Sequence, residues 1–305
     1  MDTKILSLKL ILPLLLLTAF KPCFSQDSLL TMLEDSSRNG STTFPVRGTF
    51  KALHIVNAHT VESPAKHDLN FIIMHRFGKL NDGAYNFFGL DNASIRLGLD
   101  YGISDRLGIG IGRSSLEKTF DGYLKYRLLD QTQGAKNFPV TVSLLGAINH
   151  MTLRLDTFVS AKNKTTYVTQ ALIARKFTSA LSLQVSPTFI HFNRYPPTRH
   201  SEDIFATMVG GRFKFTKRMG ITAEYNYIPS GKRDDLNIKN SLSLGFDIET
   251  GGHVFQLVFT NSGGMIESQY IGKTTGTWDN GDIFFGFNIT RNFSLGKDKK
   301  KKKEW

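Results

Sequence analysis

Tyr101-Gly-Ile-Ser-Asp-Arg-Leu107, Lys176-Phe-Thr-Ser-Ala-Leu181 and Lys214-Phe-Thr-Lys-Arg-Met219 are three versions of one phrase. Each closes a stretch of alternating hydrophobicity, passes through a short polar tip, and opens a second alternating stretch. The phrase reads as strand end, tight turn and strand start. Working outward from it, twelve strands are expected, at about 68–77, 94–102, 107–114, 120–129, 139–150, 166–177, 181–192, 203–215, 219–228, 240–250, 253–261 and 282–293. Most have the nine to twelve residues that a tilted strand needs to cross a bilayer.

Period-two alternation sorts the side chains onto two faces. Ile95, Leu97, Leu99 and Tyr101 oppose Ser94, Arg96, Gly98 and Asp100. Met219, Ile221, Ala223, Tyr225 and Tyr227 oppose Gly220, Thr222, Glu224 and Asn226. Leu242, Leu244, Phe246 and Ile248 oppose Ser241, Ser243, Gly245 and Asp247. Joins near 103–106, 178–180, 216–218 and 251–252 are tight, and the intervening ones are mostly longer. Short turns at one end and long loops at the other are the habit of outer-membrane barrels. The expected fold is therefore all-β: a single transmembrane antiparallel β-barrel of about twelve strands, with both termini periplasmic. Aromatic residues fall at girdle positions, with Phe177, Phe215 and Phe293 at one rim and Phe189, Tyr225, Tyr227 and Phe259 toward the other.

The flanks fit that placement. Lys4 and Lys9 precede an apolar run, Leu10–Phe20, which reads as a signal peptide over 1–25. Residues 26–50 read as a flexible periplasmic leader, 51–294 as the barrel and 295–305 as a basic tail. Phe50–Val56 offers itself as one further strand. Cys23 is the one cysteine, so a chain cut after Ser25 has no disulfide and no thiolate metal site. The signal and the tail Lys297–Trp305 carry half of the formal charge of +12. The remainder is ordinary, and no recognition motif accompanies it, so nucleic acid is not an expected partner.

His75-Arg-Phe-Gly78, Asn81-Asp-Gly-Ala-Tyr-Asn-Phe-Phe-Gly-Leu-Asp-Asn-Ala-Ser94 and Gly110-Ile-Gly-Arg-Ser-Ser115 resemble a family of Bacteroidota outer-membrane β-barrel proteins of unknown function. Ser241–Gln256 and Gly281-Asp-Ile-Phe-Phe-Gly-Phe-Asn288 are similar to it as well. The resemblance spans about 48–294 and implies an outer-membrane barrel. It brings no activity and no site residues.

A charge facing lipid costs about 2–4 kcal/mol at the midplane. The strand charges are thus expected to line the lumen: Arg96 and Asp100, then Asp121, Lys125 and Arg127, then Arg212 and Lys214, then Glu224, Asp247 and Glu249. They describe either a packed interior of paired charges or a mildly basic path for small anions. His54, His59 and Glu62 are the candidate metal ligands, although their spacing matches no ligand motif. Gly108, Gly110 and Gly112 alternate on a strand and read as inward room for bulky neighbours. Tyr85, Phe87, Phe88 and Trp278 in the long loops pose either as sugar-stacking groups or as loop packing. No Ser–His pair is set for catalysis, so no enzyme and no cofactor are expected. The expected function is passage of small polar or anionic solutes through the outer membrane, with a closed structural or ligand-binding barrel as the alternative. Outer-membrane lipid and the barrel-assembly machinery are the expected partners. Folding of 48–66 or 78–93 into the lumen favours the closed alternative.

Overall fold

The computed structural model describes residues 43–154, 160–193, 203–229 and 237–295. The expected signal peptide, most of the expected leader and nearly all of the basic tail lie outside them. The described strands are β1 Thr43–Pro45, β2 Asp68–Lys79, β3 Ala93–Gly102, β4 Leu107–Ser114, β5 Thr119–Leu129, β6 Thr132–Gly134, β7 Thr141–Met151, β8 Thr165–Lys176, β9 Leu181–Phe192, β10 Asp203–Lys214, β11 Met219–Tyr227, β12 Ser241–Glu249, β13 His253–Thr260 and β14 Phe284–Ser294. Strands β1 and β6 pair only with each other. The other twelve form a closed antiparallel barrel in which chain neighbours are sheet neighbours and β14 returns to β2. Each of the twelve expected strands is present, with ends shifted by a few residues. Both the entry to β2 and the exit from β14 lie at the end with the short turns, here called the turn end. The opposite end is the loop end.

Alternation holds around the ring. The outward rows carry Leu97, Leu99, Ile109, Ile111, Leu124, Leu183, Val185, Phe205, Val209, Ile221, Leu244 and Leu257, all exposed from the protein. Phe177, Phe215 and Phe293 stand exposed at the turn end. The inward rows make room for long side chains with glycine. A Cβ on Gly110 would lie 2.2 Å from the Tyr123 ring. One on Gly112 would lie 2.6 Å from the Arg96 guanidinium and 2.8 Å from the Asp121 carboxylate. The inward glycines of β4 therefore make a floor over which Tyr123, Arg96 and Asp121 lie.

Segment 50–62 is neither leader nor wall strand. Phe50, Ile55, Val56, Ala58 and Val61 are buried inside the barrel, and the wall begins only at Asp68.

Ile111 is 64 % exposed, near the middle of β4. Ile111→Arg is expected to lower stability in phospholipid bilayers by about 2–4 kcal/mol, read by denaturant titration of refolded protein. A loss well under about 1 kcal/mol would mean that this row does not meet the lipid interior.

Candidate functional site

The lumen is filled from both ends. From the turn end, residues 50–62 enter as a hairpin. The Ile55 N–H donates to the Ala58 carbonyl at 2.8 Å, and the Thr60 N–H donates to the Leu53 carbonyl at 2.8 Å. His54 and His59 face each other across the two arms. Val56-Asn57 is thus a two-residue tip, and it reaches into the barrel.

Wall side chains from almost every side hold the tip and the arm that follows it. Glu224 accepts the N–H groups of Val56, Asn57 and Ala58 at 3.1, 3.0 and 2.9 Å. Successive amides converging on one carboxylate form an anion-binding nest. Gln256 donates to the Ile55 carbonyl at 2.7 Å, and Asn288 donates to the Val56 carbonyl at 2.9 Å. Arg76 donates to the Asn57 side-chain oxygen at 2.9 Å. Lys125 donates to the carbonyls of Thr60 and Glu62. Gln184 accepts from the Val61 N–H and donates to the His59 carbonyl. Ser143 donates to the Val61 carbonyl at 3.0 Å. Buried backbone polar groups demand such partners, and the wall supplies them.

From the loop end, the β13–β14 connection folds inward and carries a single helical turn, α1 Glu267–Tyr270, all four residues buried. Asn149 donates to the Ser268 hydroxyl at 3.0 Å, and Gln269 donates to the Leu116 carbonyl at 3.1 Å. The two inserts meet where His59 Nε2 lies 3.5 Å from the Glu267 carboxylate.

All ten charged residues expected inside lie on the inward rows. Arg96 pairs with Asp121 through two hydrogen bonds. Asp100 accepts the Tyr123 hydroxyl at 2.7 Å. Arg127 donates to the Glu62 carboxylate at 2.9 Å. Arg212 bridges Asp247, at 2.9 Å, and Glu249, and Lys214 stands 3.5 Å from Glu249. Glu224 and Lys125 differ from the rest, because their direct partners are the hairpin backbone. Sequence reasoning missed Arg76, Gln184, Gln256 and Asn288 as hairpin anchors. Their strand parity marked them as inward, but nothing local marked what they hold.

Of the metal-ligand candidates, the two histidines come together and Glu62 does not join them. The rings of His54 and His59 lie 4.3 Å apart, whereas the Glu62 carboxylate turns to Arg127 and the Thr49 N–H. Among the described residues no three His, Cys, Asp or Glu groups are set to hold a metal ion. In the loops, the Trp278 indole donates to the Leu242 carbonyl at 3.0 Å and serves as packing. Tyr85 stands 95 % exposed.

A clasp joins two loops at the rim. Asp282 accepts from Lys79 at 2.8 Å, from the Thr277 N–H at 3.1 Å and from Asn81 at 3.2 Å. These donors, the Lys79 ammonium first, hold its carboxyl down to about 2. A depressed carboxyl stabilises the fold above its unfolded value near 4, and that contribution is lost as pH falls through about 2. A carbon-13 titration of Asp282 is expected to show a midpoint near 2, moving toward about 4 in Lys79→Met. At the tip, Glu224→Leu removes the acceptor of three amides. Hydrogen exchange at Val56–Ala58 is expected to rise at least about tenfold; unchanged exchange would show that the carboxylate does not hold the tip.

A family profile described as a membrane bound beta barrel domain, DUF5777, matches residues 50–293. No curated protein matches the chain. Among solved structures, the NanC porin is 10 % identical with a TM-score of 0.48, over 74 % of this chain and all of that one. The KdgM porin is 9 % identical with a TM-score of 0.44, over 73 % of this chain and 99 % of that one. The COG4313 outer membrane channel from Pseudomonas putida F1 is 12 % identical with a TM-score of 0.43, over 76 % of this chain and 97 % of that one. The family match takes in the hairpin as well as all twelve wall strands, and by it this chain belongs to the membrane-bound β-barrel domain family DUF5777.

Proposed function

We propose that the chain is an outer-membrane barrel that passes small polar or anionic solutes, and that the hairpin 50–62 stops the path in the state described here. The turn end then faces the periplasm and the long loops face outward, in the envelope of a Bacteroidota cell. The barrel-assembly machinery inserts it, and no residue acts as a catalyst.

One observation carries this reading: the wall meets the hairpin with Glu224, Lys125, Gln184, Gln256 and Asn288, bonded to backbone N–H and C=O groups. Water satisfies those wall groups equally well, so the hydrogen bonds themselves exchange at small net cost, and the cost of withdrawing the hairpin lies in uncovering Phe50, Ile55, Val56 and Val61. Arg76, Arg96, Lys125, Arg127, Arg212 and Lys214, set against Asp100, Asp121, Glu224, Asp247 and Glu249, would then leave the wetted wall mildly basic.

The second reading is a closed barrel with a structural or ligand-binding role. It is favoured by the folding of residues 50–62 into the lumen and by the loop-end insert, which buries Tyr270 and Ile271 there against the same apolar cluster.

Planar-bilayer recording separates them. The chain without its signal is expected to be quiet, and a variant lacking residues 46–62 is expected to give discrete steps with a mild anion preference. A folded deletion variant that stays silent would reject the gated path. A cation preference would reject the basic wall.

A further inference from the structure

Positive charge gathers at the turn end without carboxylates to match it. The register places Lys176 of β8 opposite Ser182 of β9, and Ser182 opposite Arg212 of β10. Lys214 stands two residues nearer the turn on the same inward row of β10. The chain entering the mouth passes these side chains over residues 48–51. Between that chain and the wall lies a cavity of about 120 Å³, lined by Lys51 on one side and by the three wall cations on the other.

Pairing there is incomplete. Arg212 holds Asp247 and Glu249, and Lys214 leans on the same Glu249 at 3.5 Å. The Lys176 ammonium donates to the Arg47 carbonyl at 3.2 Å and meets no carboxylate among the described residues. Lys51 has no partner among them either. Four cations thus face two carboxylates, and two positive charges are left over. Other cations are matched one to one: Arg96 has Asp121, Lys79 has Asp282 and Lys273 has Glu117. Two hydroxyls complete the cavity wall. Thr49 and Ser182 are 4 % and 6 % exposed, and neither hydroxyl has a hydrogen-bond partner among the described residues. A buried donor left without an acceptor is costly. Here it faces a space with room for a few waters or for one compact oxyanion.

Deeper in the lumen the character changes. The same three strands carry Leu172, Ile190, Ile204 and Met208, in one buried apolar cluster with Tyr270 and Ile271 of the loop-end insert. The basic cavity therefore ends at an apolar sector of the lumen, and a charged solute entering from the turn end stops before it. Lys176, Ser182, Arg212 and Lys214 all belong to inward rows, so the cavity opens to the mouth of the barrel and not to the lipid around it.

We propose that this cavity is a binding site for a compact divalent oxyanion of the phosphate class. Arg212 is engaged by its carboxylates, so Lys51, Lys176 and Lys214 supply the charge, and the Thr49 and Ser182 hydroxyls donate to the oxygens. Lysine suits this role as a point charge on a flexible stem. Lys51 belongs to the hairpin segment and the other two lysines to the wall, so a bound oxyanion ties the foot of the hairpin to β8 and β10. This rests on the reading of the barrel as a path for anionic solutes, and it names their class and their first contact at the turn end.

The test uses the chain without its signal peptide, refolded in a neutral detergent free of phospholipid, at constant ionic strength so that screening stays fixed. Inorganic phosphate is titrated while lysine acetylation is mapped by mass spectrometry. Acetylation of Lys51, Lys176 and Lys214 is expected to slow about tenfold once phosphate exceeds its Kd about tenfold, while Lys162, exposed at the loop end, is unaffected. By calorimetry, Lys176→Met combined with Lys214→Met is expected to weaken phosphate binding at least about tenfold, and Lys162→Met to leave it unchanged. Folding of the variants is checked by heat-modifiable electrophoresis; if the double variant does not fold, the protection map of the unaltered chain decides. Equal protection of Lys162 would show a general ion effect and overturn the site. So would acetate protecting the three lysines as well as phosphate does, because one negative charge would then suffice. Protection that appears only when phosphatidic acid is added to the micelles would assign the cavity to a lipid headgroup and reject a solute site. Conductance of the hairpin-deleted variant is read separately. Steps from that variant without phosphate protection in the full chain would reject the oxyanion site alone, and protection without steps would reject the axial path alone.

Discussion

A backbone crossing lipid has no water to bond to, so each N–H and C=O must find a partner within the protein. That constraint organises the whole molecule. Twelve strands in nearest-neighbour order meet it only when β14 pairs with β2 and the sheet has no edge. Once the ring is closed, the pleat divides side chains strictly between lipid and lumen. The outward rows must then be apolar. The inward rows are free, and here they hold ion pairs laid over glycines, a nest-binding carboxylate and an apolar sector.

That freedom brings its own demand, because charges in a narrow lumen need partners. The demand is met in two ways. Arg96 with Asp121, and Arg212 with Asp247 and Glu249, are satisfied within the wall. Glu224 and Lys125 are satisfied by main chain that enters from the turn end. The first arrangement needs no group from outside the wall. The second ties the wall to a segment whose two ends both leave at the same mouth. The lumen thus combines an ionic frame held within the wall with a filling held by the hairpin's main chain.

The wall was legible in the sequence because its rule is local. Parity along β3, β11 and β12 separates Arg96, Glu224 and Asp247 from their lipid-facing neighbours, and the short turns mark where the chain reverses. The filling was not legible. Phe50–Val61 has a few apolar residues in no clear period, so it reads equally as leader or as a thirteenth strand. Its partners, Glu224, Gln256 and Asn288, lie far away in sequence, and no spacing rule links them to Asn57. The apolar lumen sector was hidden for a related reason. Val168, Leu172 and Ile190 break the expectation that inward means polar, which holds only when the interior is wet along its whole circumference.

The hairpin tip also sits against the closing seam of the barrel. Arg76 of β2 bonds both the Asn57 side chain and Asn288 of β14, and Asn288 bonds the Val56 carbonyl. The hairpin immediately precedes β2 in the chain, so it is synthesised before any wall strand, whereas β14 is the last strand made. The segment that fills the lumen thus also bridges the first and the last strand of the ring, at the one place where strands far apart in sequence pair.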